Sequence, residues 1–213
     1  MDLVLISDTH NRCSAALPDG DILIHAGDLT HTGTFAELRQ GARWLKSLPH
    51  KHKIFVAGNH DVCLENILVN GKEAELQDFL RPIHYLRDSG IAIEGLQLWG
   101  SPWIPIYGGG FNIAHDELRA RWTKIPNGLD VLITHTPPKG ILDKEDEEFI
   151  GCSELAHAIK RVRPRVHAFG HAHQGHGHRQ LRWDDQMTTD FYNSATTVFR
   201  ISLTGQISGT SHW

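Results

Sequence analysis

An α/β fold is predicted for this chain by three observations. Short apolar runs of three or four residues recur along it and alternate with amphipathic stretches of helical period. Five of those runs end abruptly in Asp, Asn or His. No internal repeat, low-complexity tract or linker interrupts the pattern, so one compact domain over residues 1–213 is expected.

The elements follow in order. Residues 3–6 and 22–24 read as buried strands. Thr34 is placed to cap a helix whose apolar face includes Phe35, Leu38, Leu45 and Leu48, with Pro49 closing it. Residues 54–56 form the next strand, and a helical region over 62–80 is interrupted near Gly71. Asp88, Ser89 and Gly90 separate two strand-like runs, and 96–99 continues the β pattern. Residues 101–112 contain two prolines and three consecutive glycines and read as a loop. A helix over 115–124 and a strand over 131–133 follow. The acidic run 143–148 reads as a solvated loop or helix face. Residues 153–162 form an amphipathic helix stopped by Pro164, and 166–169 a strand. From Leu181 onward short strands are expected, with a turn at Thr204 and Gly205.

Composition narrows the function classes. A formal net charge of −4 provides no general basic field, so long nucleic acids and anionic membranes are not expected partners. No run approaches the roughly 20 apolar residues of a membrane span, and the N-terminal residues lack the basic start of a signal peptide. The three cysteines are widely spaced and odd in number, which points to reduced thiols and a cytoplasmic setting. The 16 histidines are far more than structure requires, and their positions carry the information.

Those positions are strand ends. The first strand runs into Asp8-Thr9-His10, the second into Gly27-Asp28 and the third into Gly58-Asn59-His60-Asp61. Later runs lead into His135 and into Gly170-His171-Ala172-His173. In open α/β sheets the ligand site lies beyond the carboxyl ends of the strands, so residues scattered in sequence converge there. Carboxylate, amide oxygen and imidazole together suit Mn, Fe, Zn or Mg. Two such cations about 3.5–4 Å apart clamp a phosphoryl group and acidify a water. A carboxylate between them offsets their repulsion, and the glycines beside the ligands allow sharp turns and close approach.

The ordered set Asp8-x-His10, Gly27-Asp28, Gly58-Asn59-His60-Asp61, His135 and Gly170-His171-Ala172-His173 resembles the calcineurin-like metallophosphoesterases. Residues 18–21, 134–138 and 191–195 are similar to the small metallophosphoesterase-domain branch, known for phosphodiesterase activity. The resemblance implies a four-layer α/β fold, two facing mixed β-sheets flanked by helices. It implies two divalent ions, manganese first, with iron, zinc or magnesium as alternatives. By motif, Asp8, His10 and His173 would hold one ion, Asn59, His135 and His171 the other, and Asp28 would bridge. His60 would face the scissile phosphate, with Asp61 orienting its imidazole. In some relatives of that branch the last histidine of the final motif is replaced; here His173 is present.

The expected reaction is in-line attack on phosphorus by a hydroxide bridging the ions, aided by His60. Phosphodiesters, including cyclic nucleotides, are the expected substrates. Asn59, His60, Trp103, Tyr107 and Phe111 are candidates for substrate contact; the three aromatics either stack on a base or brace their own loop. His31, His176 and His178 are read as surface or rim residues, and Arg161, Arg163 and Arg165 as solvated. A phosphomonoesterase or protein phosphatase of the same fold is the alternative, disfavoured because no Arg lies in 27–30 or 59–62. A non-catalytic interaction module is disfavoured by the complete ligand set.

Overall fold

The computed structural model describes the chain except residues 14, 15, 204, 205 and 213, and describes 206–212 as backbone. The expected turn at Thr204 and Gly205 therefore lies outside the described residues. Two six-stranded sheets dominate the structure. The first has the order β14 (Gln206–His212), β13 (Thr197–Ser202), β1 (Asp2–Ile6), β2 (Ile22–His25), β3 (His52–Phe55) and β4 (Ile83–Tyr85). From β1 to β4 the strands are parallel, whereas β13 runs antiparallel to both β1 and β14. The second sheet has the order β11 (Gly177–Arg182), β12 (Thr188–Asn193), β10 (Val166–Phe169), β7 (Val131–Thr134), β6 (Leu96–Ser101) and β5 (Ser89–Ile93). Its four inner strands are parallel and its two edges antiparallel.

The central strands are apolar throughout because both of their faces are covered. Side chains alternate across a strand. Leu3, Leu5, Ile22, Ile24, Ile54 and Val56 of the first sheet therefore cluster with Leu98, Val131, Ile133, Val166 and Ala168 of the second. The opposite faces, Val4, Ile6, Leu23, Phe55, Leu132 and Phe169 among them, belong to a second cluster shared with the helices. Those helices are α1 (Phe35–Ser47), α2 (Val62–Val69), α3 (Glu73–Leu80), α4 (His115–Trp122) and α5 (Ser153–Val162). The result is the four-layer sandwich, two mixed sheets flanked by helices.

Several local expectations are refined. Thr34 caps α1 in a full capping box with Glu37. Phe35, expected on the buried face, is instead 44% exposed and packs on Phe79; the buried stripe is Leu38, Gly41, Ala42 and Leu45. Position 35 is the first of the helix, where its side chain leans toward the N-terminal turn and away from the sheet. The acidic run forms a two-stranded hairpin, β8 (Lys144–Glu145) with β9 (Glu148–Phe149), and not a plain solvated loop. Arg161 is exposed as expected, and its guanidinium also donates to the carbonyls of Trp122 and Ile125. Among the described residues no helix is long and apolar enough to cross a membrane.

Candidate metal centre

The ends of β1, β2 and β3 in one sheet face the ends of β7 and β10 in the other. The first sheet supplies Asp8, His10, Asp28, Asn59 and His60, and the second His135, His171 and His173. Neither sheet alone assembles the set. Asp8, His10, Asp28 and His171 all have positive φ, between 43° and 71°. Asp and His accept this conformation more readily than most residues. It reverses the chain just past the strand and turns these residues into the cleft. Two glycines permit the close approach. A Cβ on Gly170 would collide with the carboxylate of Asp8, and one on Gly58 with that of Asp28.

Among the described residues, ligand-capable atoms converge in overlapping groups: Asp8, His10 and His173; and Asp8, Asp28 and His135, each within 4.8 Å of one another. His173 Nε2 lies 3.3 Å from Asp8 Oδ1. The two oxygens of Asp28 point in different directions. Oδ1 lies 3.4 Å from His135 Nε2, and Oδ2 lies 3.9 Å from His10 Nε2. His135 donates Nδ1–H to the Ala26 carbonyl at 2.9 Å, and its Nε2 lies 3.0 Å from Asn59 Oδ1. Burial opposes the imidazolium, but the carboxylates of Asp28 and Asp8 outweigh it and raise the pKa to about 9. For Asp8 burial opposes ionisation, but the hydrogen bond from His173 and the neighbouring imidazoles hold its pKa below the usual carboxylate range. The buried ring of His171 is pushed down to about 3 by desolvation. It lies between His135 and Tyr107, with ring centroids 4.9 and 4.7 Å away.

This donor set fits divalent cations. Buried carboxylates need positive partners, and Asp8, Asp28 and Asp61 are all buried within this region. His135 Nε2 faces Asn59 Oδ1 and Asp28 Oδ1, where a shared cation would sit. His10 Nδ1 is buried with no hydrogen-bond partner among the described residues.

His60 stands apart from this polar floor. Its Nδ1 donates to the His31 carbonyl at 2.6 Å, which fixes the tautomer and turns Nε2 toward the centre, 4.0 Å from Asp28 Oδ2. Asp61, expected to orient that imidazole, has a different task. Its carboxylate accepts from the amides of Gly58, Leu29 and Thr30 and from the Thr30 hydroxyl, tying the second motif to the third. Burial and the charge of Asp28 raise its pKa to about 6. The carbonyl of His31 does the orienting, because the turn after Asp28 carries that group beside His60.

The aromatic wall is also corrected. Trp103 and Phe111 are buried, 8% and 0% exposed, and pack on each other. Trp103 Nε1 donates to Asp88, which also holds Arg121 over the indole. Both rings therefore brace the loop 101–112, while Tyr107 projects to the rim and is 55% exposed. The side chain of Asn112 accepts from the amides of Tyr107 and Gly108 and donates to the carbonyls that follow. The Gly110 amide rests on the Asn59 carbonyl at 2.8 Å.

Sequence reasoning missed several supporting residues. His25 is buried under the centre; it accepts from the Gly27 amide and donates to Thr9, joining the first two motifs. Asn193 donates to the Ala172 and Leu142 carbonyls, and Glu145 accepts from the amides of His173 and Gln174. Glu145 lay concealed in a run that resembles an ordinary charged surface. His25, the last residue of an otherwise apolar strand, was the one legible signal.

The comparisons agree with this geometry. The sequence profile of the calcineurin-like phosphoesterases matches residues 1–175. The chain is 39% identical over 198 residues to metallophosphoesterase domain-containing protein 1 of Homo sapiens, covering 82% of this chain and 61% of that protein. It is 40% identical to a UPF0046 protein of Caenorhabditis elegans, covering 82% and 69%. The crystal structure of TT1561 of Thermus thermophilus superposes over 99% of this chain and 98% of that one, with a TM-score of 0.66 at 14% identity. Another solved structure gives 0.76 at 16% identity, again over 99% and 98%. These two share the fold. The chain spans about three fifths of the length of the human relative. By its profile match and its relatives, this chain belongs to the calcineurin-like phosphoesterase family.

Proposed function

We propose that this protein is a phosphodiesterase working with two divalent cations. The observation that carries the two-ion reading is the divided aim of Asp28, one oxygen toward His135 and the other toward His10. Asp8, His10 and His173 would hold one ion and Asn59, His135 and His171 the other, with Asp28 placed to serve both. When bound, the cations supply Lewis-acid neutralisation of the phosphoryl oxygens and a more acidic water. The nitrogen and oxygen donors suit manganese, with iron, zinc and magnesium as alternatives.

The chain's own residues do the rest. The loops holding Asn59 and His60 form one side of the cleft. A proton held at His60 Nε2 faces the reacting phosphate, placed to stabilise developing charge or to protonate the leaving oxygen. A groove of about 290 Å³ runs beside it, lined by His31, Thr32, Asn59, His60, Val62, Tyr107, Gly108 and Gly109. None of these is Arg or Lys, so nothing in the groove grips the extra charge of a monoester dianion. Tyr107 offers a ring to a nucleobase or aryl group, which supports small diesters such as cyclic nucleotides. A cavity of about 540 Å³ between Arg163, Arg165, Asp190 and Tyr192 contains no site residue. The net charge of −4 disfavours long nucleic acids, and the three free thiols support a reducing, cytoplasmic setting.

The test is elemental analysis of manganese-reconstituted protein, with kcat/KM for an aryl phosphodiester, an aryl monoester and 2′,3′- and 3′,5′-cyclic nucleotides at one pH. Two ions per chain and a diester preference are expected. Full activity at one ion removes the shared role of Asp28. A monoester preference of about tenfold, or 1.4 kcal/mol in transition-state binding, removes the diester reading.

A further inference from the structure

We propose that His31 and His60 form an accessory transition-metal site at the mouth of the centre, and that an ion there takes His60 out of the reaction. His31 belongs to none of the recurring motifs and is exposed. Even so, its ring lies face to face with that of His60, with centroids 6.0 Å apart and planes inclined by 15°. The His10 ring stands edge-on behind both, at 5.6 Å from His31 and 4.6 Å from His60. One nitrogen from each of the three lies within 4.8 Å of the others. Tetrahedral zinc, with Zn–N near 2.0–2.1 Å, needs donors about 3.4 Å apart. Imidazole ligates through an in-plane lone pair, so ligation requires the exposed His31 side chain to rotate out of its parallel alignment with His60.

The tautomer is already set for ligation. The His31 carbonyl can only accept, so the 2.6 Å contact puts the proton of His60 on Nδ1 and leaves a lone pair at Nε2. A ring N–H given to a backbone carbonyl is the usual support of a metal-bound histidine. With an ion in the main centre His10 is engaged there, and the accessory ion rests on His31 and His60 with water completing the shell. One exposed and one half-buried imidazole with no carboxylate select zinc, copper or nickel over magnesium and calcium. Binding uses the lone pair that would carry the catalytic proton and places a cation across the groove. That inhibitory consequence rests on the role proposed for His60; the binding does not.

The test uses the whole chain with its tight sites filled with zinc, further zinc as the probe and magnesium as the hard-cation control. Equilibrium dialysis is run on wild type, His31→Ala and His31→Gln, which keep the orienting carbonyl. Wild type should take up a weaker zinc equivalent beyond the tight ones. Its affinity should fall by about tenfold or more in both variants, with the tight equivalents unchanged. Ring-nitrogen NMR should show His60 Nε2 moving on addition of this equivalent. Zinc inhibition of ester hydrolysis should weaken in parallel. Equal weak binding in wild type and both variants overturns the site. If the weak equivalent depends on His31 but inhibition does not, the inhibitory role is overturned. If the protein hydrolyses no ester, the function proposed above fails while dialysis and NMR still decide the site.

Discussion

Asp28 and His60 are joined twice: the backbone amide of His60 donates to Asp28 Oδ1 at 2.8 Å, and the imidazole Nε2 lies 4.0 Å from Asp28 Oδ2. The carboxylate that would be shared by two cations therefore also fixes the loop presenting the substrate-facing histidine. Asp28→Ala should empty the centre and cut activity more than loss of any other single ligand, by more than about 10²-fold. Elemental analysis and kcat on the same preparation check this. Retention of two ions by the variant would assign the bridge elsewhere.

His60→Gln should separate chemistry from metal binding. The backbone amide that reaches Asp28 survives, so metal content should stay at the wild-type level. Loss of a proton-holding ring should lower kcat by about 10²-fold or more. Loss of metal together with activity would place His60 among the ligands of the main centre.

Gly170→Ala should act on the centre without replacing a ligand. The added methyl meets the Asp8 carboxylate and the Ser7 side chain, both buried. Overpacking there should destabilise by about 1–3 kcal/mol and weaken metal binding at Asp8. Thermal unfolding with and without manganese measures both effects; an unchanged Tm in both conditions would show that the strand end has room to yield.

The corrected aromatic wall separates two residues of one loop. Tyr107→Ala should raise KM for nucleotide diesters more than for a small aryl diester and leave stability almost unchanged. Trp103→Ala should cost about 3–5 kcal/mol of stability, since it removes a buried ring, its hydrogen bond to Asp88 and the seat of Arg121. Denaturant unfolding and steady-state kinetics on the two variants give the contrast.

His167 should contribute to acid sensitivity. Thr134 gives its hydroxyl proton to the Thr136 carbonyl, so His167 Nε2–H donates to Thr134; its buried Nδ1 has no hydrogen-bond partner among the described residues, and its ring packs on Phe169 and Phe191. Burial lowers its pKa to about 3 from 6.5. Below pH 6.5 the unfolded chain takes up a proton that the folded chain refuses, so stability falls as pH drops from 6.5 toward 3. The slope is at most about 1.4 kcal/mol per pH unit. His167→Gln should flatten the stability profile of metal-free protein in that window and leave it unchanged above pH 7. An identical acid slope would assign the effect to other histidines.

The sequence by itself determined most of the strand and helix order, the location of the chemistry at strand ends and which Asp, Asn and His residues gather there. Apolar runs closed by Asp-x-His, Gly-Asp or Gly-His-x-His are local patterns, written in neighbouring residues. What tertiary structure decided were relations between residues far apart in the chain. Trp103 and Phe111 look like pocket residues until the loop folds under itself, because aromatic rings serve a core and a binding wall equally well. Asp61 follows His60 directly, yet its side chain turns inward to the amides of Leu29 and Thr30, more than thirty residues earlier. The acidic run around Glu145 resembles solvated charge, and only the hairpin brings that carboxylate to the amide of His173. Backbone amides and carbonyls carry no sequence signature. Where they supply the partner, as the His31 carbonyl does for His60, only the folded chain reveals it.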